Sequence, residues 1–286
     1  PVFMQQIQSA GTMQDIVLKA RRDGKRIGVV PTMGYLHDGH ASLIRTARAE
    51  SDLVITTIFV NPLQFAPNED FTRYPRDLER DWRIAEEAGA DVLFTPTPDE
   101  MYPSGFQTTI SIGGVTTPFE GIFRPTHFDG VATVVAKLFL LTQPHKAFFG
   151  QKDYQQCMVV KKLVRDLAMP LEIVICPTKR ENDGLAMSSR NVYLSAEERS
   201  KATILFKALE RAQNLIQQGE RKRRAIETLL QETLTSVREI TIDYAAAADS
   251  ETLEQADIFA ETQDIVLLLA VRLGKTRLID NLVVKT

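Results

Sequence analysis

Two histidines three positions apart, His37 and His40, close the stretch Pro31-Thr32-Met33-Gly34-Tyr35-Leu36-His37-Asp38-Gly39-His40. That spacing puts both imidazoles on one side of a first helical turn. An apolar run, Ile27–Val30, precedes the stretch and a helix-like segment, Ala41–Glu50, follows it. The pair therefore belongs to a turn between a strand and a helix. Free backbone N–H groups and the helix dipole attract phosphate there. Gly34 and Gly39 have P-loop spacing, but His40 stands where a P-loop carries lysine, and imidazole is no permanent cation. Zinc is disfavoured because the pair lacks the glutamate of HExxH, and the chain's other histidines are only His127 and His145. The plain alternative is a capping turn without chemistry.

Three further stretches carry suitable groups. Asn61 and Gln64, in Phe59-Val60-Asn61-Pro62-Leu63-Gln64-Phe65, follow a strand-like run. Amides both donate and accept, so they suit a ligand with hydroxyl and carboxylate oxygens; the alternative is an Asn-Pro turn. Gly150-Gln151-Lys152-Asp153 follows another apolar run and opens a helix. Gly150 permits close backbone approach. Lys152 is a cation at the end of a helix that disfavours cations, which makes sense beside a phosphate; the alternative is a solvated lysine. Asp153 suits either a helix cap or ribose hydroxyls. Met187-Ser188-Ser189-Arg190 puts two hydroxyls and a guanidinium on one loop, which is phosphate-binding chemistry or an ordinary loop.

These residues need elements to hold them. Strand-like runs at Ile27–Val30, Leu53–Val60, Asp91–Thr95, Lys146–Phe149 and Leu171–Cys176 alternate with amphipathic segments Ala41–Glu50, Arg76–Glu87, Gly130–Leu141 and Tyr154–Leu167. The alternation predicts an α/β fold: a parallel sheet with helices on both faces. Gln107–Ile112 alternates too and reads as an edge strand or an excursion. Beyond a boundary near Thr178–Arg190 the pattern changes. A capping box at Ser195 and Glu198 starts a long helix to about Gly219, a second runs from Arg224 to Val237, and strands follow at Ile240–Ala245, Ile265–Val271 and Thr276–Val283. Residues 1–180 are thus expected to form one domain and residues 181–286 a smaller α+β domain.

The 286 residues are 44% hydrophobic and 25% charged, an ordinary globular composition. The net charge of −3 argues against a nucleic-acid-binding face, though a few placed cations suffice for one anionic ligand. Arg221-Lys222-Arg223-Arg224 reads as a solvated helix start. Cys157 and Cys176 sit in apolar stretches and read as buried free thiols of a reducing compartment. No window approaches the roughly 18 apolar residues of a membrane helix, and the opening residues 1–8 show no secretion leader, so a cytoplasmic protein is expected.

The turn His37-Asp38-Gly39-His40 after the first apolar run resembles the HxGH nucleotidyltransferase superfamily, and more narrowly the whole stretch from Pro31 resembles the pantoate–β-alanine ligase (pantothenate synthetase) family. Further matching stretches are Asn68-Glu69-Asp70, Tyr74-Pro75-Arg76, Arg124-Pro125-Thr126-His127-Phe128-Asp129-Gly130 and Leu273-Gly274-Lys275-Thr276-Arg277-Leu278-Ile279-Asp280-Asn281. Gln151 departs from the family's usual glutamate. Met187–Arg190 matches the position of the superfamily's KMSKS loop. The resemblance implies a Rossmann-like sheet with a C-terminal lid. It also implies ATP and Mg²⁺ as cofactors, pantoate and β-alanine as substrates, a pantoyl-adenylate intermediate and a homodimer. His37, His40 and Lys152 are implied as catalytic. Met33, Gly34, His37, Gly39, His40, Gly150, Lys152, Asp153, Lys179, Met187, Ser188, Ser189 and Arg190 are implied at ATP. Gln64, Gln156 and Asn61 are implied at pantoate and β-alanine, and Asp81 at magnesium. The rival readings are another HxGH enzyme, such as a phosphopantetheine adenylyltransferase, and a nucleotide-binding module without catalysis.

Overall fold

The computed structural model describes residues 4–285; residues 1–3, part of the segment read for a leader, lie outside it. The chain divides into two compact units. One runs to Gln151 and resumes over Gln155–Pro177; the other joins Lys152–Tyr154 to the chain from Thr178 onward.

In the first unit, six strands among the described residues form one parallel sheet: β1 (Gln5–Ile7), β2 (Ile27–Thr32), β3 (Leu53–Ile58), β4 (Val92–Phe94), β5 (Lys146–Gly150) and β6 (Glu172–Cys176). Their helices are α1 (Ala10–Arg22), α2 (Asp38–Glu50), α3 (Leu78–Ala88), the single turns α4 (Pro98–Met101) and α5 (Glu120–Phe123), α6 (His127–Thr142) and α7 (Tyr154–Asp166). The strand order is β1-β4-β3-β2-β5-β6. From β2 the chain steps outward through β3 to β4, then crosses to β5 on the other side of β2. The order therefore reverses between β2 and β5, the position at which open α/β sheets bind ligands beyond their carboxyl ends. α1 packs on α6 and α2 on α3, and both pairs reach β2. With both faces covered, β2 and β3 are almost wholly buried, as their apolar, β-branched sequences require. Val30, Ile44, Val54, Leu93 and Phe148 form the core between sheet and helices.

The sequence reading missed β1, whose Gln-Gln-Ile is too short and polar to stand out. Gln107–Ile112 is no strand. It is mostly exposed, so its alternation has no core to meet, and the Ile110 N–H donates to Thr133 Oγ1 on α6 at 3.0 Å instead of to a neighbouring strand.

The second unit packs α8 (Ala196–Lys201), α9 (Ile204–Gln217) and α10 (Arg223–Thr235) with an antiparallel sheet of β7 (Ile240–Asp249), β8 (Ile265–Leu273) and β9 (Thr276–Val284). Leu205, Leu209, Leu230, Leu234 and Leu267 make its core. Ser195 and Glu198 form the reciprocal capping box. The single long helix expected after them is two helices. The Thr203 hydroxyl turns back to donate to Ser200 O at 2.9 Å, a local bond that competes with the helical ladder.

Candidate functional site

The HxGH turn is built by its neighbours. Thr32 Oγ1 donates to Thr57 O at 2.6 Å on β3 and accepts from Gly34 N at 3.1 Å, which starts the turn. Gly34 has φ +83°, and a Cβ there would lie 2.9 Å from Ile58 Cγ2 and 3.0 Å from Asp81 Oδ2. The residue must be glycine on both counts. Asp81, in the first turn of α3, then accepts from the next two amides, Tyr35 N at 2.8 Å and Leu36 N at 2.6 Å. Burial pushes its carboxyl above the ordinary value, and the two amide donors partly offset that. Arg80 stacks on the Tyr35 ring at 4.6 Å.

His37 caps α2: its Nδ1 accepts from Gly39 N at 3.1 Å, while His40 Nδ1 accepts from His37 N at 3.3 Å. The ring centroids are 4.1 Å apart. A backbone amide can only donate, so in each neutral ring the proton is left on Nε2. The turn thus carries two adjacent Nε2–H donors at a helix N-terminus.

Asn61 is 1% exposed and Gln64 8%, at the carboxyl end of β3. Asn61 Nδ2 donates to Gln64 Oε1 at 3.1 Å and to Gly130 O at 3.0 Å. Gln64 Nε2 donates to the Met33 sulfur at 3.3 Å, tying this loop to the HxGH turn. Gly130 lets α6 come this close, since a Cβ there would fall 2.3 Å from Leu63 O. Behind Gln64 lies a partly buried ionic cluster. Arg124 pairs with Glu69 at 2.5 Å and Glu120 at 3.3 Å, and Arg124 and His127 both donate to Gln64 O. Burial opposes ionisation of Glu69, but the Arg124 bond and charge prevail and hold it below its ordinary value. Burial, then the Arg124 charge, drives His127 down to about 4. Sequence reasoning marked Glu69, Arg124 and His127 only as family matches. For His127 the available signal was a titratable residue opening a largely apolar helix, α6.

At the end of β5, Gly150 leads into a single 3-10 turn, Gln151–Asp153, and then α7. Gln156 is half-buried on α7. In the second unit, the Lys152 carbonyl accepts from Asn281 Nδ2 at 2.7 Å on β9, while Asp153 is exposed. Lys179 and Met187 sit at the base of a hairpin closed by Met187 N donating to Lys179 O at 3.0 Å and by an Arg180–Ala186 bridge. Arg180 anchors it with a bidentate pair to Asp280 at 2.7 and 2.9 Å. Ser188 Oγ accepts from Arg190 N at 3.2 Å and starts the turn Ser189–Tyr193.

The structure therefore gathers Met33, Gly34, His37, Gly39, His40, Asn61, Gln64 and Asp81 in one unit, and Lys152, Asp153, Lys179 and Met187 to Arg190 in the other. Asp81 fits a metal poorly: both its oxygens are taken by turn amides, and among the described residues no three His, Cys, Asp or Glu side chains cluster to hold an ion. Its role here is to shape the turn.

The family model for pantoate-beta-alanine ligase matches residues 5–283. A pantothenate synthetase of Geobacter sulfurreducens is 54% identical over 280 residues, covering 98% of each chain. One from Moorella thermoacetica is 50% identical, covering 99% of each. Among solved structures, the pantothenate synthetase of Thermus thermophilus is 46% identical with a TM-score of 0.93, covering 99% of this chain and 100% of that one. The pantoate-beta-alanine ligase of Francisella tularensis, solved in complex with beta-gamma ATP and beta-alanine, is 34% identical with a TM-score of 0.79, covering 99% of this chain and 98% of that one.

Proposed function

This chain belongs to the pantoate–β-alanine ligase family, and from that premise we propose how its residues carry the reaction. The enzyme uses ATP to condense pantoate with β-alanine. A pantoate carboxylate oxygen attacks the α-phosphorus of ATP, the bond to the β-phosphate breaks, and pyrophosphate leaves. The β-alanine nitrogen then attacks the acyl carbon of pantoyl adenylate. AMP departs with the C–O bond electrons, and the nitrogen loses a proton to give the amide.

Charge builds on phosphate oxygens in the first step, so positioned donors do most of the work. His37 and His40 donate from Nε2 to the α-phosphate. The backbone of Met33, Gly34 and Gly39 lines the nucleotide site beside them, together with Gly150 and Lys179. Lys152, Ser188, Ser189 and Arg190, on the loop begun by Met187, hold the β- and γ-phosphates and stabilise departing pyrophosphate. Asp153 meets the ribose. Gln64 and Gln156 bind pantoate. Asn61, held by its own loop, by Gly130 and by Tyr102, acts by orienting Gln64 more than by touching β-alanine. Magnesium would be held mostly by the phosphates and water, and would offset charge on the triphosphate. The pair of buried free thiols supports a reducing, cytoplasmic setting, and among the described residues no helix is long and apolar enough to cross a membrane.

The observation that carries this reading is the pair of Nε2–H donors held 4.1 Å apart, ring to ring, at the N-terminus of α2, beside the strand-order reversal. The test is AMP release that requires both pantoate and β-alanine. Nucleotide binding without pyrophosphate release, or release that needs a different acceptor, overturns it.

A further inference from the structure

Amide side chains are ambiguous in isolation, because their oxygen and nitrogen have nearly the same shape. Around Asn61 two backbone groups remove the ambiguity. Leu63 N–H, 3.3 Å away, can only donate, so it must face Oδ1. Gly130 O, 3.0 Å away, can only accept, so it must face Nδ2. The second Nδ2 hydrogen then meets Gln64 3.1 Å away, which has to present Oε1 to it. Gln64 Nε2 is left to face the Met33 sulfur at 3.3 Å. Polarity thus passes from two peptide groups through Asn61 to Gln64.

The shortest bond on Asn61 comes from elsewhere. The Tyr102 hydroxyl, just after α4, donates to Oδ1 at 2.7 Å, whereas the Leu63 amide reaches it at 3.3 Å. Burial pushes the Tyr102 hydroxyl well above its ordinary value, so it stays protonated at any working pH. Its ring is fixed edge-on by Phe59 at 5.9 Å and Phe106 at 5.0 Å, with Lys137 Nζ 6.0 Å from its centre.

We propose that Tyr102 is a positioning residue for the acid substrate. By holding Asn61 it fixes the Gln64 carboxamide with Oε1 engaged and Nε2 presented, so that Gln64 donates to an oxygen of pantoate. A primary amide nitrogen carries two hydrogens; Met33 takes one, and the other is the donor. Such a site discriminates for an acceptor oxygen and against a substrate that presents a donor there. This inference rests on the proposed role of Gln64.

The test measures pantoate affinity by ligand-observed NMR titration of the full chain saturated with a non-hydrolysable ATP analogue. The proteins are wild type, Tyr102→Phe, Gln64→Ala and the double variant. Tyr102→Phe keeps the ring packing and removes one hydrogen bond. It is expected to weaken pantoate about tenfold, the size of an ordinary hydrogen bond, with the affinity for the ATP analogue unchanged. In the Gln64→Ala background the same change is expected to do nothing, because Tyr102 acts through Gln64. A Gln64→Ala variant that binds pantoate like wild type overturns the role of Gln64 and this inference with it. If Gln64→Ala weakens pantoate but Tyr102→Phe does not, only the inference falls. It falls equally if Tyr102→Phe weakens pantoate as much without Gln64 as with it, or weakens the ATP analogue alongside, since either result marks a merely structural role.

Discussion

His127 holds its proton on Nδ1 for the Gln64 carbonyl, while its Nε2 faces Arg124 at 3.3 Å. Burial disfavours a second, charging proton, and the neighbouring guanidinium adds to that, so its folded value falls from 6.5 to about 4. Between those values the unfolded chain binds a proton that the folded chain refuses. Stability is therefore present above about 6.5 and drains as pH falls toward 4, at up to about 1.4 kcal/mol per pH unit. His127→Gln keeps a donor for Gln64 and removes the titration. Urea melts at pH 7 and pH 4.5 are expected to show a smaller acid loss in the variant than in wild type; equal losses would show that His127 is not buried neutral. Lys152 is the residue for a kinetic test. Lys152→Ala is expected to slow adenylate formation on the order of 10²–10³-fold, the effect of losing one transition-state contact. Single-turnover pyrophosphate release near the wild-type rate would remove Lys152 from the mechanism.

At the scale of elements, the site depends on two close approaches, α3 to the HxGH turn and α6 to the Asn61–Phe65 loop. Gly130 sets the second. A Cβ there would sit 2.3 Å from Leu63 O and 2.6 Å from Gln64 N, backbone atoms that cannot swing aside. Gly130→Ala is expected to cost about 1–3 kcal/mol of stability and to raise the KM for pantoate with little change in the KM for ATP. A thermal melt and steady-state kinetics check both, and wild-type values would mean that the loop tolerates displacement. The elements that hold most of the site were legible as sequence because they are long and bury a continuous apolar face: β2, β3, β5, α2, α6 and α7. Gly34 and His37 to His40 were legible because they interrupt such elements at a fixed place. The partners were not. Asp81 lies 45 positions from Leu36 and Tyr102 lies 41 from Asn61. The resemblance places Asp81 at magnesium, and nothing local in the sequence shows that its carboxylate also shapes the HxGH turn. The β1 strand was invisible because pairing with β4, not composition, makes it a strand.

For the whole molecule, the net charge of −3 says little, because what matters is where a few cations stand. Light scattering is expected to give twice the mass of one chain, the homodimer that the family resemblance implies; the mass of a single chain would refute it. The chain path carries a further consequence. The peptide Lys152–Tyr154 is surrounded by the first unit in sequence but packs with the second, and its lysine carbonyl is held by Asn281. A ribosome finishes the histidine turn and the whole parallel sheet well before it reaches β9. Until that last strand is made, the nascent chain has its paired imidazoles but lacks the partner that holds the Lys152 carbonyl. The order of synthesis alone thus keeps the Lys152 peptide unseated until the final strand arrives.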